Sequence, residues 1–193
     1  MQNKYFTNFI IKKILMKKSC LFLITSLFLF SCSIPNMIIV ELESKNSTDV
    51  NGNVIFIEED NKVTMVAKIE NLDPGEHAIH LHEKSDCSSN DGKSTGGHWN
   101  PTLTKHGKWG EESGFHRGDI GNFIADENGI GTITFKTDLW CLNCDDKTKN
   151  IIGKAIIVHQ GIDDFSSQPS GAAGSRISCG GIINENALIS DKN

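Results

Sequence analysis

The chain has 193 residues and a formal net charge of −5. Its first 31 residues hold five lysines and no acid, so the remainder carries 14 basic against 24 acidic residues, a net charge of −10. That balance excludes a general nucleic-acid surface, which needs basic patches, while the roughly 160 residues beyond the N-terminal stretch suffice for one domain with a real core.

The N-terminal stretch reads as a targeting segment. Lys12, Lys13, Lys17 and Lys18 precede an apolar run, 21–30, which leads into Leu29-Phe30-Ser31-Cys32. A basic region, a short apolar run and a small residue before the break make a secretory signal. The run is shorter than the roughly 20 residues a membrane span needs. Met16-Lys17-Lys18 itself opens a complete signal, so Met1 and Met16 are both candidate starts. Leu-x-Ser-Cys resembles the lipobox of bacterial lipoproteins, in which the cysteine becomes the lipidated first residue. We therefore expect a lipoprotein signal peptide at 1–31, a lipidated tether at 32–36, a folded domain at 37–185 and a polar tail at 186–193. The resemblance implies attachment to a membrane through Cys32, facing the periplasm of a bacterial cell envelope. Ser33 after Cys32 points to the outer membrane in preference to the inner. Apart from Cys20 and Cys32, four cysteines remain: Cys87, Cys141, Cys144 and Cys179. An even number in an oxidising compartment reads as a disulfide framework, for which three pairings are open.

Beyond the tether the pattern is β throughout. Strand candidates lie at 37–42, 53–57, 63–69, 78–82, 123–125, 132–136, 154–159 and 176–183. Val63, Met65, Ala67 and Ile69 alternate with polar neighbours, although Val66 interrupts the polar face, and 132–136 alternates cleanly. Turn residues separate the runs. Leu72-Asp73-Pro74-Gly75 suits a type II turn, because glycine accepts positive φ without steric cost. Eight short strands without an amphipathic helix predict an all-β sandwich or barrel. Two long connections, 83–118 and 160–175, interrupt it; connections of that length in a compact domain are usually functional.

The histidines carry the chemistry. There are seven: His77, His80, His82, His98, His106, His116 and His159. On a strand, residues two apart share a face, so His80 and His82 reach toward one ion while Leu81 packs the other way. His77 falls on the opposite face from His80 and is read as a structural histidine holding nearby backbone. His98, His106, His116 and Asp119 lie in a glycine-rich stretch that can turn tightly enough to converge. Three imidazoles and a carboxylate suit tetrahedral Zn²⁺. His159 closes the apolar run Ile156-Ile157-Val158.

The segments 75–83 (Gly-Glu-His-Ala-Ile-His-Leu-His-Glu), 97–101 (Gly-His-Trp-Asn-Pro), 116–122 (His-Arg-Gly-Asp-Ile-Gly-Asn), Val158-His159 and 174–180 (Gly-Ser-Arg-Ile-Ser-Cys-Gly) resemble, in order, the signature segments of the copper/zinc superoxide dismutases. The resemblance implies an eight-stranded Greek-key barrel with two long functional loops. It implies one copper per subunit on His80, His82, His98 and His159, and one zinc on His98, His106, His116 and Asp119. His98 would bridge the metals and pass a proton as superoxide is dismuted to oxygen and hydrogen peroxide. Arg176 would attract and orient the superoxide anion. Asp163 would link a copper-site histidine to a zinc-site histidine, and Cys87 and Cys179 would form the family disulfide. A homodimer is admitted by the same resemblance. Cys141-Leu142-Asn143-Cys144 departs from the pattern; a local disulfide, a redox pair or half a metal site all fit C-x-x-C, and a loop-stapling disulfide is the expected form. Between His159 and Arg176 the only charged residues are Asp163 and Asp164, so steering from that loop is expected to be weak. The competing reading is an envelope copper/zinc carrier on the same fold, which would need neither a bridge nor Arg176. A zinc hydrolase lacks both an open zinc position and a placed general base.

Overall fold

The computed structural model describes residues 36–184. The signal peptide, Cys32 with residues 33–35 of the tether, and the C-terminal tail lie outside the described residues. Eight strands form one closed antiparallel barrel: β1 (Asn36–Ser44), β2 (Asn51–Glu59), β3 (Lys62–Glu70), β4 (Gly75–His82), β5 (Gly121–Ala125), β6 (Gly131–Thr137), β7 (Ala155–His159) and β8 (Arg176–Gly181). Around the barrel they follow the order β1-β2-β3-β6-β5-β4-β7-β8. The chain crosses from β3 to β4, then returns through β5 and β6 to fill the gap, which is the Greek-key arrangement the resemblance implied. The ring closes between β1 and β8 through Glu43↔Cys179 and Ser44↔Ser178.

Alternation determines the interior. In β3, Val63, Met65, Ala67 and Ile69 are fully buried, and Val40, Leu42, Val54 and Phe56 face them from β1 and β2. Each fully buried side chain of the larger kind contributes about 1.5–3 kcal/mol relative to exposure. β4 from His77 onward and all of β7 are buried on both faces, because the long connections cover their outer side. That covering is what places histidines in a dry environment.

Three long connections leave the barrel, one more than the sequence reading anticipated. Besides 83–120 and 160–175, the segment 138–154 joins β6 to β7 and includes the Cys141–Cys144 disulfide. Its apolar residues Trp140, Leu142 and Ile151 are buried in the main core, while its charged residues, Asp145, Asp146, Lys147 and Lys149 among them, stay largely at the surface. Trp140 stacks against Phe135 and Phe56, and Trp109 from the first long connection packs on Trp140 and Phe135. The Trp140 indole N–H donates to the Arg117 carbonyl at 2.8 Å. This aromatic cluster holds the 83–120 connection against the end of the barrel.

Candidate metal centre

The two residues that start the site, His80 and His82, share a face of β4, and β7 pairs with β4 in the register His80↔Ile157 and His82↔Ala155. A short antiparallel bridge pairs His82 with His98. Three backbone bonds hold that junction: Trp99 N–H to the Leu81 carbonyl, Leu81 N–H to that of Gly118, and Gly118 N–H to that of Trp99. A Cβ on residue 118 would stand 2.2 Å from the Leu81 carbonyl oxygen, so the crossing requires glycine.

Two clusters result. His80, His82, His98 and His159 form one; His98, His106, His116 and Asp119 form the other. Within each, one ligand atom per residue lies within 4.8 Å of the others, and all seven residues are buried. His98 belongs to both. The seven metal ligands proposed from the sequence all fall in these two clusters.

The imidazoles are oriented by what their second nitrogens touch. His80 Nε2 donates to Asp163 Oδ2 at 2.9 Å, His82 Nδ1 to the Gly96 carbonyl at 3.0 Å and His159 Nδ1 to that of Gly174 at 3.3 Å. His106 Nε2 donates to Asp163 Oδ1 at 2.8 Å, and His116 Nε2 to the Thr104 carbonyl at 3.2 Å. The opposite nitrogens, His80 Nδ1, His82 Nε2, His98 Nε2 and His159 Nε2, are buried without a hydrogen-bond partner, while His106 Nδ1 and His116 Nδ1 converge on the Asp119 carboxylate at 3.0 and 3.2 Å. Buried nitrogens without partners are costly, unless a cation takes their lone pairs. Outer partners of this kind fix the tautomer and ring direction of metal ligands. Asp119 faces His98 Nδ1 at 2.8 Å and is itself held by the backbone N–H of His116 at 2.7 Å and of Gly107 at 3.2 Å. The donor set fits copper and zinc: nitrogen-rich ligands on one side, three imidazoles and a carboxylate on the other.

Electrostatics separate the two halves. Burial pushes His82 and His159 well below the ordinary imidazole range and His98 down to about 4, with neighbouring imidazoles adding to the effect. They are neutral at pH 7, as ligands must be. For His106 burial acts in the same direction, but the Asp119 and Asp163 carboxylates outweigh it and hold the ring up to about 9. Asp119 and Asp163 are held far below the usual carboxylate range, since bonds from the histidines exceed the cost of burial.

Arg176, half-buried, opens β8 opposite His159. Its guanidinium donates to the Gly92 carbonyl at 2.8 Å and the Thr95 hydroxyl at 3.1 Å. Cys87 and Cys179 are disulfide-bonded, which fastens the segment carrying Gly92 and Thr95 to β8 and so aims Arg176. Arg176 lines a cavity of about 590 Å³ with His82, His98, His116 and His159.

Four residues escaped the sequence reading. Lys93 lines the same cavity, ion-paired to Asp91 at 3.0 Å, and Glu83 from the same 83–120 connection lines it too. Gln168 clasps the His106 backbone, accepting from its N–H at 3.0 Å and donating to its carbonyl at 2.9 Å. Asn122 does the same for Asp163, at 2.8 and 2.9 Å. Gly171 passes directly against Asp163. Only Asn122 carried a signal, its place in the 116–122 segment. His77 sits on the far face of β4 and touches the backbone carbonyls of His159 and Asp73, at 3.0 and 2.8 Å, as a structural histidine should.

The family model for copper/zinc superoxide dismutase matches residues 50–182. The chain belongs to the copper/zinc superoxide dismutase family. Proteins of this family bind copper and zinc, and the two clusters described above have the ligands for both. Among curated proteins, superoxide dismutase [Cu-Zn] 2 of Aquifex aeolicus is 34% identical over 171 residues, covering 86% of this chain and 99% of that protein. The extracellular superoxide dismutase [Cu-Zn] of Drosophila melanogaster is 36% identical over 145 residues, 71% of this chain and 77% of that one. Among solved structures, a double histidine variant of a superoxide dismutase-like protein from Bacillus subtilis aligns with a TM-score of 0.68 at 30% identity, covering 76% of this chain and 97% of that one. The clock protein EA4 aligns at 0.66 and 34% identity, over 78% and 97%.

Proposed function

We propose that this dismutase-family chain converts superoxide to oxygen and hydrogen peroxide at copper held by His80, His82, His98 and His159, with zinc held by His98, His106, His116 and Asp119. The observation that carries the reading is the set of buried ring nitrogens, which point into two cages sharing one ring. Bound copper supplies a one-electron couple, so that two superoxide ions and two protons give one O₂ and one H₂O₂. The protein contributes the rest. Arg176, unpaired among the described residues, brings positive charge to the cavity of a chain that is otherwise acidic, Lys93 beside it being paired with Asp91, and a lined cleft concentrates field on an incoming anion. Arg176 offers paired donors for orienting that anion. His98 presents Nε2 to the first cage while its Nδ1 faces Asp119, so the ring can hold a proton at Nε2 without turning away. Asp163 spans the two halves by receiving His80 on one oxygen and His106 on the other.

The lipobox supports placing this activity in the bacterial envelope, anchored through Cys32 and facing the periplasm. No helix of the described residues is long and apolar enough to cross a membrane.

Metal analysis and pulse-radiolysis rates on one sample test the reading. His159→Ala should lose copper and turnover but keep zinc. Asp119→Ala should weaken zinc first and lower the melting temperature, because a bound ion stabilises the folded state by mass action. A fully metallated wild-type protein without turnover would leave a metal carrier.

A further inference from the structure

The outer face of β1, β2 and β3 is apolar at one end. Met37 is 54% exposed and Ile39 59%, which would be unremarkable for single residues. Here they are contiguous. The register pairs Met37 with Ile57, Ile39 with Ile55, and Ile55 with Val66. Directly paired side chains on one face stand about 4.5–5.5 Å apart, so these five make one patch across three strands. Ile55 and Ile57 are half-buried by their neighbours, and Val66 is exposed. The same face turns polar further along the strands, where Glu41, Asn53 and Lys68 follow.

The apolar end is the end where β1 begins. Cys32 precedes Asn36 by only Ser33, Ile34 and Pro35. Four residue steps, even fully extended, reach about 14 Å. Acyl chains on Cys32 would therefore keep the start of β1 within that distance of the lipid. The ring order of the barrel puts β4, bearing His80 and His82, directly across from β2. A barrel resting on its β1–β3 face would turn the metal cavity away from the membrane.

We propose that this patch, Met37, Ile39, Ile55, Ile57 and Val66, is a docking face for the phospholipid surface that holds the Cys32 anchor. Exposed contiguous apolar residues rimmed by polar ones mark interaction sites, and the tether length selects the membrane as the occupant. Docking orients the protein with its cavity open to the aqueous compartment, where a small charged anion arrives by diffusion. This inference rests on the lipid-anchor reading given above.

The test uses the full-length protein purified from membranes in detergent. Mass spectrometry of the mature N-terminus first establishes whether Cys32 carries acyl chains. An unmodified N-terminus overturns the anchor and the docking face together. The lipidated protein then enters vesicles of phosphatidylethanolamine and phosphatidylglycerol. An environment-sensitive fluorophore is attached to Val66→Cys and, as a control on the cavity side, to Leu103→Cys, since Leu103 is 90% exposed. The Val66 label should shift to the blue, brighten at least about twofold and be quenched by acyl-chain-brominated lipid, as a probe leaving water does. The Leu103 label should stay in water. Adding Met37→Ser with Ile39→Ser should abolish the Val66 response while the protein stays vesicle-bound. A lipidated protein whose Val66 label stays wet overturns the docking face and spares the anchor. Shielding of Val66 that appears without vesicles and grows with protein concentration assigns the face to a second copy of the chain, and also overturns it.

Discussion

Gly171 offers a sharp test of how the metal cages are held. The residue has φ +66, and an alanine there would place its methyl carbon 1.8 Å from Asp163 Oδ1 and 2.7 Å from His106 Nε2. Relieving the first contact to 3.0 Å requires a retreat of about 1.2 Å, which takes the Asp163–His106 bond well past the distance at which it counts as one. Losing a hydrogen bond to a charged group costs about 1.5–3 kcal/mol. The alanine adds about 1–2 kcal/mol of left-handed backbone strain. Gly153 separates the two contributions: it has φ +82, but a Cβ there meets nothing within 4 Å. Gly153→Ala should therefore show the backbone part alone. Gly171→Ala should melt lower than Gly153→Ala by about 3–12 °C in the metal-free form, at roughly 2–4 °C per kcal/mol. Zinc affinity, measured by chelator competition, should fall about 10–100-fold, the usual consequence of disturbing a ligand's outer partner. Copper affinity should fall less, because Asp163 meets His80 through its other oxygen. If zinc affinity in Gly171→Ala stays within threefold of that in Gly153→Ala, the idea that Asp163 aims His106 is wrong.

Arg176→Ala should lower the rate with superoxide at least several-fold, and Arg176→Lys should recover part of it, keeping charge but losing the planar fork; metal content should match wild type in both. Lys93→Gln should cause a smaller fall and flatten the salt dependence of the wild-type rate, since exposed charges are screened over about 10 Å at 0.1 M salt. Metal-free stability should peak near pH 6.5. His98, held at about 4 in the fold against 6.5 when free, gains a proton on unfolding between those values, so stability rises with pH there. His106, held up to about 9, loses one on unfolding between 6.5 and 9, so stability falls there; melting scans from pH 4 to 9 showing a monotonic trend would contradict this. Cys32→Ala should move the protein from the membrane to the soluble periplasmic fraction with its specific activity intact, and a wild-type protein already soluble would refute the anchor.

The strands were legible because alternation acts locally: the inward residues of β3 announce themselves at every second position. The ligands were legible because histidine is scarce and the spacing of His80 and His82 is fixed by the strand itself. What stayed hidden acts across long sequence separations or through backbone. Gln168 supports His106 by two main-chain bonds, and nothing in a lone glutamine signals that. Lys93 reaches the cavity on a segment that the Cys87–Cys179 disulfide and the Arg176 bonds to Gly92 and Thr95 hold against β8. The 138–154 connection looked like ordinary sequence between strands, although its tryptophan is among the most deeply buried side chains in the protein. The apolar face of β1–β3 was visible only as Val66 interrupting an alternation; the register was needed to set four more residues beside it.

Asp163 shows why the two cages behave as one object before any metal arrives. Its oxygens receive His80 and His106, its backbone is clasped by Asn122, and its position is bounded by Gly171. Each of those partners comes from a different element: β4, the 83–120 connection, β5 and the 160–175 connection. A buried carboxylate without such partners would be expensive, and the inward-facing nitrogens of His80, His82, His98 and His159, without partners, are a standing cost as well. The fold sustains that cost because the aromatic cluster around Trp140, the Cys87–Cys179 disulfide and the closed barrel fix the backbone from outside the site. Metal binding then relieves the unpartnered nitrogens instead of having to assemble them. The stabilisation it brings should appear mainly as a higher melting temperature, with little change in the positions of the ligands.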